Sequence, residues 1–470
     1  MRRTRLLQLI AIAGIAATTI PGSSVSAPAP AGTSTPAFVP GEVIVGYEGG
    51  AGATRREEAA SATGVDEGER IAEDTRELEI VDGEPVLETV NELRDEPGIA
   101  YAAPNYITQV SGYVPNDPGR PKGDRGDWRK LQWNFDGGGG VNAPAAWETA
   151  RERGAEGGRG VTVAVLDSGV AYTDKGRYER APDLSKRHWA TGHDFVSGDK
   201  IAYDESADRD KQANFGRGHG THVAATIRQS TDNGRSVTGL AYDATMMPIR
   251  ILDVNGSGNT ADLIRGIRFA ADHGAEVINM SLETKSSVFG GTASRPLREA
   301  VEYAHERNAV LVASAGNKDV STVATPADIK HVIAVGATTE NSCQADYSNS
   351  GDDLDISAPG GGDDSSSDRN PRDASNCRPR QKGDPIYQET FDCKREARRC
   401  NDFGLPSFYE GTSMSTAHVS ATAALVMATT GIRDPEEVEQ RLEQTARDLG
   451  EDGFDDRYGA GLLDSAAAVR

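Results

Sequence analysis

From position 131 onward, short apolar strand-like runs alternate with helical patterns, and this alternation constrains the fold more than any other feature of the chain. The strand-like runs at 161–166, 246–252, 276–281, 310–314 and 332–335 are mostly apolar at consecutive positions rather than at every second one. A strand of that kind has to be covered on both faces. Helical patterns at 260–273, 296–307, 413–430 and 435–446 are long enough to carry the chain back across a sheet. The class this implies is α/β, a mostly parallel central sheet between layers of helices.

The upstream segment is organised differently. A basic start, Met1-Arg2-Arg3-Thr4-Arg5, an apolar stretch over 6–20 and small residues up to Ala27 form the pattern of an export signal, so residues 1–27 are assigned to one. The apolar stretch is shorter than the roughly 20 residues a membrane span needs, which argues against a stable membrane association. After a Pro/Ala/Gly/Ser/Thr-rich stretch, residues 38–107 read as a small unit of strand, helix, strand, helix and strand at 39–47, 55–63, 76–81, 86–94 and 99–103. A loop-rich stretch over 110–129, with Pro115-Asn116-Asp117-Pro118 in it, then offers an accessible place for cleavage. The expected organisation is 1–27, 28–110 and 111–470.

Three motifs carry the chemistry. The run at 161–166 ends in Asp167-Ser168-Gly169, which puts a carboxylate at the carboxyl end of a buried parallel strand, where open sheets gather their sites. Gly218-His219-Gly220-Thr221-His222 opens a helix with a histidine at its start. Gly411-Thr412-Ser413-Met414-Ser415 runs into an apolar helix, so the Ser413 hydroxyl lies where unpaired N–H groups and the helix dipole favour negative charge. Each motif alone has an ordinary reading: a turn, a capping histidine, a serine N-cap. A zinc site on His219 and His222 lacks a further ligand. Together the three supply a nucleophilic hydroxyl, an imidazole base and an orienting carboxylate in the chain order Asp, His, Ser.

That order, with Ser281-Leu282 after one strand and Ser314-Ala315-Gly316-Asn317 after the next, resembles the subtilase (subtilisin-like) family of serine peptidases over nearly the whole chain. Tyr101-Ala102-Ala103-Pro104-Asn105-Tyr106 is similar to the closing strand of the inhibitory propeptides that precede such enzymes. The resemblance implies a three-layer subtilisin-like fold preceded by a small α+β, ferredoxin-like propeptide over 28–110. By motif, Asp167 would orient the imidazole, His219 would act as base and then acid, Ser413 would attack, and Asn317 would donate to the oxyanion. Ser281, Leu282 and Glu283 would form one wall of the substrate cleft and Ser314, Ala315 and Gly316 the other. Pro326 matches a cis proline, and Asp117, Asp183 and Asn233 match ligands of a calcium site. No cofactor is implied for catalysis. The expected partners are protein and peptide substrates and the chain's own propeptide, with the mature enzyme secreted as a monomer. A catalytically silent fold of the same family, used for binding, is the alternative.

The chain departs from the family pattern in places. Glu283 stands where glycine is usual, which puts a carboxylate beside the substrate side chain and suggests a preference for Lys or Arg. Ala417 replaces a proline, and Ala225 and Ala421 replace glycines. An insertion over 361–408 holds three of the four cysteines, Cys377, Cys393 and Cys400, with Cys343 ahead of it. In an exported chain an even count reads as two disulfides, with three possible pairings. The net charge of −22, from 50 basic and 72 acidic residues, excludes the basic footprint that nucleic-acid binding requires.

Overall fold

The computed structural model of the chain describes residues 38–47, 59–72, 74–106, 113–205, 218–284, 293–365, 377–392 and 402–470. Two compact units divide it, Met1–Gln109 and Val110–Arg470.

In the first unit, β1 (Phe38–Tyr47), β2 (Val65–Ala72), β3 (Thr75–Ile80) and β4 (Ile99–Tyr106) form an antiparallel sheet in the order β2-β3-β1-β4, with α1 (Val86–Asp95) before the last strand. Val43, Val45, Leu78, Val90 and Leu93 fill its core. β2 is an addition to the sequence expectation. Its sequence, Val-Asp-Glu-Gly-Glu-Arg-Ile-Ala, is charged, as suits a strand that lies at the sheet edge and, among the described residues, pairs with β3 alone. Edge strands of that composition carry little apolar periodicity and resist further pairing. Of the helix expected at 55–63, residues 59–62 are helical and 55–58 lie outside the described residues.

The second unit is built on seven parallel strands: β5 (Thr162–Asp167), β6 (His193–Asp194), β7 (Thr245–Arg250), β8 (Val277–Met280), β9 (Val310–Ser314), β10 (Val332–Thr338) and β11 (Ile356–Pro359). They are ordered β11-β10-β9-β8-β5-β7-β6, and all their pairings are parallel. Alternate residues of β5 face opposite layers, as a period of two demands. Val163 and Val165 join a core that includes α2 (Ala143–Glu152), α3 (His219–Arg228) and α6 (Thr412–Thr430). Ala164 and Leu166 join one that includes α4 (Thr260–Asp272) and α5 (Arg295–His305). The result is the three-layer α/β architecture expected. Helix α6 is buried along nearly its whole length, its apolar residues interspersed with small hydroxyl side chains, which suits a helix at the centre of a layer. Two shorter helices, α7 (Pro435–Gln444) and α8 (Ser465–Ala468), close the chain.

The expectation omitted β6 and β11. Both are short, and β11 (Ile-Ser-Ala-Pro) lies at the sheet edge, so neither provides a periodic run. Cys343 and Cys377 form a disulfide with a Cα–Cα distance of 5.6 Å, which ties the start of the insertion to the segment after β10. Cys393 and Cys400 lie outside the described residues.

Candidate active site

The chain leaves β5 toward β7 on one side of the sheet and returns through β8 on the other, so the strand order reverses between β5 and β8. Crevices form outside the carboxyl ends of strands at such a point. Asp167 ends β5, Ser281 follows β8, and Ser314 ends β9, all at the same edge.

Asp167 is fully buried, and its Oδ1 and Oδ2 lie 2.8 and 3.0 Å from Nδ1 of His219, the first residue of α3. The carboxylate also accepts from Ser168 N at 2.7 Å. This arrangement places the proton on Nδ1 and leaves the Nε2 lone pair free to accept. Glycine at 220 makes the approach possible: a Cβ there would stand 2.2 Å from Gly169 O and 3.1 Å from Asp167 Oδ1. Burial alone would favour neutral imidazole, but Asp167, with Asp204 behind it, outweighs burial and holds the His219 pKa above its ordinary value. Asp204, which the sequence reading did not single out, is fully buried and accepts from Thr221 N and Oγ1 at 3.2 and 2.8 Å in the first turn of α3.

Ser413 is buried in the first turn of α6. Its hydroxyl donates to Ser281 O at 3.2 Å, and the Ser281 hydroxyl donates to Ser413 O at 2.8 Å. A buried relay continues inward: Asn279 Nδ2 donates to Ser281 Oγ at 3.0 Å, and Ser420 Oγ donates to Asn279 Oδ1 at 2.9 Å. The start of α6 is therefore pinned to the end of β8. Thr412 N and Oγ1 each donate to Asn317 Oδ1 at 2.9 Å. With its oxygen occupied, the carboxamide is left to present its NH2 group elsewhere. Asn279 and Ser420 were not foreseen, because each sits in a segment whose pattern reads simply as apolar core, and Thr412, inside the Gly411–Ser415 motif, carried no expected role of its own.

His222 and His418 are neutral and structural. Burial lowers the His222 pKa to about 3; its Nε2 lies 2.9 Å from Ile386 O and its ring stacks on Tyr409 with centroids 4.1 Å apart. The zinc alternative for His219 and His222 fails, because one ring faces a carboxylate and the other a backbone carbonyl. His418, lowered to about 4 by burial, bridges Met414 O and Asn134 Nδ2 at 2.8 Å each. Part of the insertion lies against α3: Gln388 Nε2 donates to Ala225 O at 3.1 Å, and Thr390 Oγ1 donates to Gly218 O at 2.6 Å, immediately before His219. Ala225, Ala417 and Ala421 are all fully buried, so the core accommodates a methyl group at each departure from the family pattern.

The expected cleft walls face each other across this edge. Ser314 Oγ donates to Leu282 O at 2.9 Å and ties them together. Gly316 N donates to Thr412 Oγ1 at 3.3 Å, while Ala315 is buried and accepts from Asn349 Nδ2 at 3.0 Å. The Thr325–Pro326 bond is cis, as the resemblance implied. Glu283 forms an ion pair with Lys318 at 2.7 Å.

Asp117, Asp183 and Asn233 also come together. Asn233 Nδ2 donates to Asp183 Oδ1 at 2.6 Å and Asn233 N to Asp117 Oδ1 at 3.2 Å. Glu389 from the insertion joins them by accepting from Asp183 N at 2.7 Å. Burial, then the charges of Glu389 and Asp117, push Asp183 up to about 8 against the pull of its amide donors, and burial pushes Glu389 up to about 7. Buried carboxylates crowded in this way fit a hard cation with oxygen ligands. Asn233 turns its NH2 group toward Asp183, and its Oδ1 accepts from Arg235 N at 2.9 Å.

The sequence profile of the Subtilase family matches residues 158–461, and that of the Fervidolysin N-terminal prodomain matches residues 25–105. The chain belongs to the Subtilase family. Over 429 residues this subtilase is 30% identical to a "Thermophilic serine proteinase" of Bacillus sp. (strain AK1), covering 90% of this chain and 86% of the relative. It is 32% identical to "Subtilisin Savinase" of Lederbergia lenta, covering 70% of this chain and 96% of the relative. Among solved structures, a protease from Pseudoalteromonas arctica matches with a TM-score of 0.59 and 30% identity, covering 76% of this chain and 99% of that one. The subtilase is a serine endopeptidase that carries a prodomain, and its substrates are peptides. Among the described residues, no helix is long and apolar enough to cross a membrane.

Proposed function

We propose that the subtilase is exported through residues 1–27, is held inactive by residues 28–110, and frees residues 111–470 by its own cleavage between about residues 107 and 117. Asp167, His219 and Ser413 are its catalytic residues. His219 Nε2 takes the Ser413 proton as the hydroxyl swings away from Ser281 O to attack the scissile carbonyl. Asp167 holds the tautomer and stabilises the imidazolium that forms. The Asn317 NH2 group, aimed by Thr412, and the Ser413 backbone N–H receive the oxyanion, and His219 then returns its proton to the leaving amine. Substrate lies extended between 281–283 and 314–316, with backbone pairing as an added strand. The observation that carries this reading is the 2.8 Å Asp167–His219 contact at the same sheet edge as a serine on a helix N-terminus.

Calcium held by Asp117, Asp183 and their neighbours would neutralise the carboxylates and stiffen the loop after α3. The enzyme works as a monomer outside the cell. A relative named "Cell wall-associated protease", from Bacillus subtilis, fits an extracellular setting. Expression of the precursor and of its Ser413→Ala form, followed by intact mass and digestion of denatured casein, tests the reading. The wild type should lose the Met1–Gln109 unit and digest casein, while Ser413→Ala keeps that unit beyond the signal. If both forms mature alike and neither digests casein, Ser413 is not the nucleophile and the fold serves binding.

A further inference from the structure

The Glu283 side chain does not stay on its own wall. It leaves the segment after β8 and crosses to the facing wall, where its Oε2 lies 3.0 Å from the position a Cβ on Gly316 would occupy. Gly316, with φ of 109°, gives the room: the same Cβ would stand 3.1 Å from the Ala324 methyl and 2.4 Å from Asn349 Nδ2. The two oxygens of the carboxylate differ in environment. Oε1 pairs with Lys318 Nζ at 2.7 Å, whereas Oε2 is buried and has no hydrogen-bond partner among the described residues. Lys318 follows Asn317 directly and its side chain is 53% exposed, against 24% for Glu283.

An anionic oxygen buried without a donor is costly, and structures rarely keep one without a use. A half-exposed lysine contributes little to an ion pair and is easily displaced. Thr284 N donates to Thr325 O at 2.7 Å, which fixes the backbone beyond Glu283, so the carboxylate stands on a held segment. Resting on the peptidase reading above, we propose that Glu283 selects a basic side chain, Lys or Arg, on the acyl side of the scissile bond, with Lys318 as an internal stand-in for it. A substrate cation entering between the walls supplies the donor that Oε2 lacks and shares or displaces Lys318 at Oε1. A guanidinium can meet both oxygens at once, which favours Arg over Lys. An acidic side chain is repelled, and an apolar one leaves Oε2 buried and unpaired.

The test compares kcat and KM of the mature wild type, Glu283→Gln and Lys318→Met on tetrapeptide p-nitroanilides that end in Arg, Lys, Leu, Phe or Glu, with casein digestion as the control. The wild type should prefer Arg and Lys. Glu283→Gln should lower the ratio of kcat/KM for the Arg substrate over the Leu substrate by on the order of ten- to a hundredfold, the worth of a hydrogen bond to a charged group. Lys318→Met should lower KM for the basic substrates and leave kcat as it was, because it removes the competitor. Equal profiles in wild type and Glu283→Gln, or a wild type that prefers apolar residues, overturn the proposal while leaving the peptidase intact. Failure of the wild type to cut either peptides or casein overturns the peptidase reading and this proposal with it.

Discussion

Thr412→Val removes one of the two donors that aim Asn317, and it does so with a side chain of nearly the same shape. In the native arrangement Thr412 N and Thr412 Oγ1 both donate to Asn317 Oδ1 at 2.9 Å. The backbone bond survives the substitution and the hydroxyl bond does not. A neutral hydrogen bond of this kind is worth about 0.5–1.5 kcal/mol net, so looser aim of the NH2 group should lower kcat by roughly two- to tenfold with little change in KM. Loss of the amide itself, in Asn317→Ala, should cost about 10²–10³ in kcat, a magnitude established on a subtilisin. Because Gly316 N also donates to Thr412 Oγ1, at 3.3 Å, the single variant could act through the cleft wall instead. A double-mutant cycle separates the two routes. Steady-state kinetics on one peptide substrate, read in the wild-type and Asn317→Ala backgrounds, should show that Thr412→Val costs activity only where Asn317 is present. The same fold loss in both backgrounds would refute the claim that Thr412 acts by aiming the amide.

Asp204 and Asp167 both raise the His219 pKa, so Asp204→Asn should move the acidic limb of the kcat/KM profile to lower pH and leave the rate at pH 8 close to wild type; an unmoved limb would remove Asp204 from the electrostatics of the site. Calcium should raise the melting temperature of the Ser413→Ala protein. Without a cation, the raised Asp183 pKa of about 8 means that stability present below the unfolded carboxylate value is lost as pH rises toward 8. The calcium effect should therefore be larger at pH 8 than at pH 5, and Asp183→Asn should reduce it; calorimetry showing no shift at either pH would dismiss the site.

Much of this protein could be read from the chain alone, and for a local reason. Strand β9 and helices α4 and α6 are continuous segments whose burial is written in their own composition, so the α/β class and their limits followed directly. The Asp167–His219 contact and the place of Ser413 in the first turn of α6 were legible because each residue sits inside a short motif at the start or end of such an element. What escaped depends on pairing between distant segments. β2 is a strand only because β3 offers it a ladder, and its charges suit an edge that no local pattern announces. Asp204 and Glu389 lie in loops, where nothing nearby in sequence marks a buried carboxylate; each is identified only by the groups that fold against it, Thr221 for one and Asp183 for the other. Glu283 shows the division within a single residue. The sequence put a carboxylate beside the cleft, but only the close approach of two strand ends, with a glycine opposite, decided that it reaches across to the other wall.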